Sequence, residues 1–120
     1  MIRNDFYSGF EGEPMITFVF KSSPLEKIDM WTGYFDRLID LGEPDEHGCW
    51  QGLALYYHTD TGWYDEAEWQ IPDIPQIIAE FDSLDTSACD NAIIEELRTA
   101  ILNFLKKAHE RNKPVLIRYE

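Results

Sequence analysis

Three histidines, two cysteines and a dense population of carboxylates are the residues of this 120-residue chain that could do chemistry. His47, His58 and His109 form no HExxH or His-x-His pair of the kind that binds zinc. Glu43, Asp45, Glu46 and His47 make an acidic loop with donors for a metal. They meet no ligand-spacing rule, and a loop ahead of a strand is more often simply solvated. The stretch from Asp82 invites comparison with a calcium loop, but its third position is Leu84, its sixth is Ser87 and its twelfth is Ile93. A calcium loop needs oxygen donors, glycine and glutamate at those positions. A turn and a helix cap at Ser87 or Asp90 are expected instead.

Nucleophilic catalysis by Cys49 or Ser8 would need a histidine and an orienting carboxylate. His58 follows Cys49 in a segment expected to be extended, which puts the two roughly 30 Å apart. A Cys49–His109 pair stays open beside the simpler reading of a packed, inert thiol. Paired carboxylates occur all along so acidic a chain, so they carry no weight for glycosidase chemistry. The expectation is a protein with no catalytic residue, metal or cofactor.

What stands out is the charge field. Positions 38 to 97 contain no lysine or arginine, and they hold fifteen aspartates and glutamates. A single-sign field repels itself and weakens the compact state, so its retention implies a use. The use that follows is attraction of a cation. The formal net charge is −13, and residues 1–90 carry nineteen acids against four bases. Direct contact with a nucleic-acid backbone or an anionic membrane is disfavoured, since both need a basic footprint.

Aromatic residues supply the second half of the signal. Trp50 and Trp69 are expected in the core, on paired strands, and Trp31 on a helix. Trp63, just after the Thr61-Gly62 turn and beside Asp60, Tyr64, Asp65, Glu66 and Glu68, has the composition of an interface anchor. Binding hot spots favour tryptophan and tyrosine, and charged rims set association rate and register. The expected partner surface is the hairpin 59–68 together with the loop 43–47. The plainer alternative is that these acids only solubilise one face.

Length, seven phenylalanines, six tyrosines and four tryptophans fit one domain able to bury a core. They exclude an acidic disordered tail. Cys49 and Cys89 form no CxxC, the N-terminus lacks the apolar run of a signal peptide, and no window reaches membrane-span length. A cytoplasmic protein with reduced thiols is expected.

The elements that must position these residues form one α+β domain over 15–120, behind an irregular arm over 1–14 that can add an edge strand. Residues 15–21 (MITFVFK) read as a strand. Ser23-Pro24-Leu25-Glu26 has the form of a capping box opening a helix that runs to Leu38, with Gly33 inside it at a cost of about 1 kcal/mol. Residues 49–58 (CWQGLALYYH) read as a central strand, and 63–71 as its hairpin return. Helices are expected from Asp73 to Leu84 and through Ile94, Leu97, Ile101, Phe104, Leu105 and Ala108, with a last strand at 115–119. That gives an antiparallel-rich sheet in the order β-α-β-β-α-α-β, the ferredoxin-like order if the two late helices count as one crossover.

In size, acidity and mixed α/β order the chain resembles immunity proteins of bacterial polymorphic-toxin systems, those of contact-dependent growth inhibition included. The tract Gly62-Trp63-Tyr64-Asp65-Glu66-Ala67-Glu68-Trp69-Gln70-Ile71 carries the same style and transfers no residue roles. The resemblance implies a cognate basic toxin domain, often a nuclease, whose active-site cleft is plugged by carboxylates. Two alternatives rest on the residues alone: a nucleic-acid mimic that blocks a DNA-binding protein, and a small enzyme or ligand-binding module.

Overall fold

Apolar alternation along the strands sets the inner face of the sheet, and two amphipathic helices supply most of what covers it. The computed structural model describes residues 2–87, 89 and 91–120. Strands β1 (Ile2–Phe6), β2 (Met15–Phe20), β3 (Ser23–Trp31), β4 (Trp69–Gln70) and β5 (Val115–Tyr119) form one sheet in the order β1-β3-β2-β5-β4. Among the described residues β1 and β3 run parallel and the other three pairings are antiparallel. Ile16, Phe18, Phe20, Ile28, Met30, Val115 and Ile117 are all buried and belong to the central cluster. Period-two alternation in β2, β3 and β5 puts these residues on one face. On the other face Thr17 donates a hydrogen bond to Asp29 at 2.7 Å, and Lys27 lies 3.4 Å from the same carboxylate.

The helices are α1 (Thr32–Ile39), α2 (Gly52–His58), α3 (Ile74–Asp82) and α4 (Ala92–Glu110). Asp73 caps α3, accepting from the Gln76 N–H at 3.1 Å, as the sequence predicts. The predicted stripe of α4 is buried throughout, from Ile94 to Ala108. Its cap is Asn91, which accepts from the Ile93 N–H at 3.1 Å, rather than Ser87; Asp90 lies outside the described residues. The described residues thus form a single α+β domain with a mixed five-stranded sheet and four helices, but the element order is not the expected ferredoxin-like one.

Two segments change state relative to expectation. Residues 23–31 are strand, not helix. Phe20 pairs with Ser23 across a two-residue turn, so the chain folds straight back on β2, and sheet pairing outweighs the capping box. Glu26, expected to close that box, instead reaches Lys107 on α4 at 2.9 Å. Gly33 then falls in the first turn of α1, where an added Cβ would lie 2.4 Å from the Trp31 ring. That ring stacks on Phe10 at 4.2 Å and meets Tyr34 edge-on, pinning the N-terminal turns to α1.

Residues 52–58 are helix, not central strand. An apolar run this short cannot be told from a buried helix by periodicity. Leu53 and Ala54 are buried and Tyr57 half-buried, the i, i+1, i+4 grouping of a helical face. The expected return strand shrinks to β4, preceded by a 3-10 turn at Gly62–Tyr64.

Candidate functional site

Asp36 on α1 and Asp40, the residue that caps its C-terminus, stand one turn apart, so their like charges share a face. Asp36 is half-buried, and burial first, then Asp40, pushes its carboxyl above the usual range. Around these acids the fold gathers residues from other elements. Tyr57 comes from α2 and Asp60 from the turn after it, where Asp60 takes φ +54. Tyr64 comes from the 3-10 turn, and its ring lies 5.2 Å from that of Tyr119 on β5.

Electrostatics show that these groups feel one another. Tyr57 is pushed up to about 12 by burial and then by Asp36, Asp40, Tyr64 and Asp60. Tyr64 is raised by burial first and Asp36 second. Five elements therefore contribute to one acidic, tyrosine-rich surface. Among the described residues, Asp36, Asp40 and Asp60 form no ion pair. Arg37 adjoins Asp36 in sequence but points about 100° away around the helix.

Among the described residues, five of the ten lysines and arginines are spent on internal carboxylates. Arg3 pairs with Asp5, Lys27 with Asp29, Arg98 with Glu95, Lys107 with Glu26 and Arg118 with Glu68, at 2.9–3.4 Å. A cavity of about 180 Å³ between β1, β3 and α4 is lined by Arg3, Lys27 and Lys107, each of which already has its carboxylate.

The residues expected at the partner surface separate into groups. Asp60 and Tyr64 join the surface just described. Asp65 and Glu66 are exposed directly after the 3-10 turn and, among the described residues, form no ion pair. Glu68 is exposed but shares its charge with Arg118 at 3.4 Å. Glu43 and Glu46 are exposed in the loop before α2, and Glu46 lies 3.5 Å from the His47 ring. Asp45 organises that loop: its carboxylate accepts from the Cys49 and His47 N–H groups at 2.9 Å, and these bonds hold it below the usual carboxylate range.

Trp63 is the correction. Expected as an exposed anchor, it is 2% exposed, and its indole packs edge-on against Phe35 and Trp69 in the core. Gly62 at φ +67 turns the chain so that the ring points inward rather than out.

Sequence reasoning passed over Asp36, Asp40, Tyr57 and Tyr119. The i, i+4 spacing of the two aspartates was available as a signal; Tyr57 was hidden by the strand assignment. Cys49 and Cys89 are free thiols. Among the described residues no three His, Cys, Asp or Glu side chains are grouped to hold a metal, and no helix is long and apolar enough to cross a membrane.

A titration tests the coupling. A phenol raised in the folded state favours folding below its unfolded pKa of about 10. That contribution is lost as pH rises through the folded value, about 12 for Tyr57. Asp36→Asn with Asp40→Asn should bring the late-titrating tyrosine down in phenolate absorbance. An unchanged titration curve would separate Tyr57 from the two aspartates.

Comparison with protein-family models, curated proteins and solved structures gives no match.

Proposed function

We propose that this chain is an acidic binding protein that neutralises a cationic partner, and that it serves as an immunity protein against a basic toxin domain, with a nuclease as the partner chemistry that fits best. The observation that carries the reading is the face made by Asp36, Asp40, Asp60, Tyr57 and Tyr64, whose carboxylates form no ion pair among the described residues, while Arg3, Lys27, Arg98, Lys107 and Arg118 are each paired elsewhere. Carboxylates left unpaired at a self-repelling site are available to lysine and arginine on another molecule. A nuclease must present those residues to phosphate, so an acidic surface competes for the same groups. Tyrosines add apolar contact area and a ring face for a cation, with little side-chain entropy to lose.

The partner is engaged in the cytoplasm, by binding and without a catalytic step or cofactor. Glu43, Asp45, Glu46, Asp65 and Glu66 form the steering rim in this reading. The mimic alternative needs carboxylates spaced along an elongated face, and an envelope of 39 × 31 × 27 Å is only moderately longer in one direction.

Co-production tests the reading. A toxin with a basic catalytic domain, encoded beside this chain, should lose its ability to arrest growth when the two are made together. The pair should co-purify and separate as salt is raised. Growth arrest despite abundant folded chain, or a complex indifferent to salt, would overturn it.

A further inference from the structure

α2 is short and depends on its neighbours for its place. Its seven residues are fewer than an isolated helix needs in water, Gln51 at its start makes no side-chain cap bond, and its buried residues are Gly52, Leu53 and Ala54 at one end. Its other end carries Tyr57 and leads into Asp60, two residues of the acidic surface. Tyr56 packs against the Trp69 ring, 4.6 Å between centroids, and a second mooring comes from α3. Glu80 spans the gap with both oxygens: one accepts from the Leu53 N–H at 2.8 Å, the other from the Ala54 N–H at 3.0 Å.

Two features make this contact specific. Gly52 sits at φ +63, and a Cβ there would lie 2.5 Å from the nearer Glu80 oxygen, so only glycine lets the carboxylate approach. The cleft around Glu80 is lined by Gly42, Glu43, Gln51, Gln76 and Ser83, and no cation lines it among the described residues. Burial pushes this carboxyl up, with the Ala54 and Leu53 N–H groups acting against the shift. A half-buried carboxylate without a cation is costly to keep, and here its two bonds both go to the first turn of α2.

We propose that Glu80 and Gly52 form a latch between α3 and α2 that seats the α2 side of the docking surface, making Glu80 a positioning residue for partner recognition rather than a contact. The positioning role rests on the binding reading above; the latch itself does not.

Hydrogen exchange of the full chain separates the two. In Glu80→Ala the amides of residues 53–58 should exchange roughly tenfold faster or more, the size expected for losing bonds to a charged acceptor. The amides of β2, β5 and α4 should be unchanged. Glu80→Gln retains one acceptor and should fall between. Gly52→Ala should loosen α2 by displacing the carboxylate, and the double variant should be worse than Glu80→Ala only by the strain of a Cβ at φ +63, because the clash with the carboxylate is then gone. Unchanged exchange in α2, or acceleration spread evenly over the molecule, overturns the latch.

The second arm titrates a hexa-arginine peptide at low ionic strength. Its affinity should fall in proportion to the lost fraction of seated α2. A loosened α2 with undiminished peptide affinity overturns the positioning role. A wild-type chain that ignores the peptide overturns the binding reading and the positioning role with it, while exchange still decides the latch.

Discussion

Trp63→Ala should lower the stability of the protein by about 3–5 kcal/mol, the range for emptying a large aromatic site in a core. Small domains have only about 5–15 kcal/mol in total, so the variant should unfold at far lower urea or fail to accumulate. The indole is 2% exposed and touches rings from three directions: Phe35 at 5.9 Å, Trp69 at 5.6 Å and Tyr64 at 5.5 Å between centroids. Alanine would leave those rings facing a void. Phe35 belongs to α1 and Tyr64 to the docking surface, so the cavity would also undermine that surface from behind. Lost binding in Trp63→Ala is therefore ambiguous, and Trp63→Phe resolves it. Phenylalanine keeps most of the packing, so a folded Trp63→Phe protein should retain partner affinity within a few-fold. Affinity lost in that variant at unchanged stability would return Trp63 to the interface as a contact.

Reversing Asp36, Asp40 and Asp60 to lysine together should slow association with the basic partner by tenfold or more, within the range of about 10–10³ for electrostatic steering. The change adds two charge units at each of three sites and takes the formal net charge from −13 to −7. A control with Glu11, Glu13 and Glu110 reversed makes the same net change at exposed positions elsewhere. The surface variant should lose its salt dependence, and the control should keep most of it, because charges beyond a Debye length of about 8 Å are screened at physiological salt. Folding gives an internal check with a definite sign. Replacing one member of a like-charge i, i+4 pair removes repulsion of about 0.2–0.5 kcal/mol, so converting Asp40 alone should leave stability unchanged or slightly raised. Equal slowing in the surface variant and the control would mean that only net charge matters, and would dissolve the site.

Read as a linear string, the chain determines what local physics can decide. Val115–Tyr119, Met15–Phe20, the Asp73-capped α3 and the buried stripe of α4 are all legible, because alternation, capping and a 3.6-residue period act within a few positions. The charge field is legible for the same reason, since composition needs no geometry. What tertiary structure alone decides is which of two locally acceptable states a segment takes and which way a side chain faces. Residues 23–31 carry a capping box, yet a two-residue turn delivers them to β2, and several sheet hydrogen bonds outweigh one cap. Residues 52–58 are apolar enough for either state, and a carboxylate from Glu80, distant in sequence, supplies the N-terminal bonds that make them a helix. Trp63 has the neighbours of an exposed anchor, but the turn at Gly62 and the rings of Phe35 and Trp69 draw it inside. Burying that much apolar ring stabilises the fold by more than any local preference opposes it. The acidic surface itself unites Asp36, Asp40, Tyr57, Asp60, Tyr64 and Tyr119 from across the chain, and only the packing of α1, α2 and β5 brings them to one place.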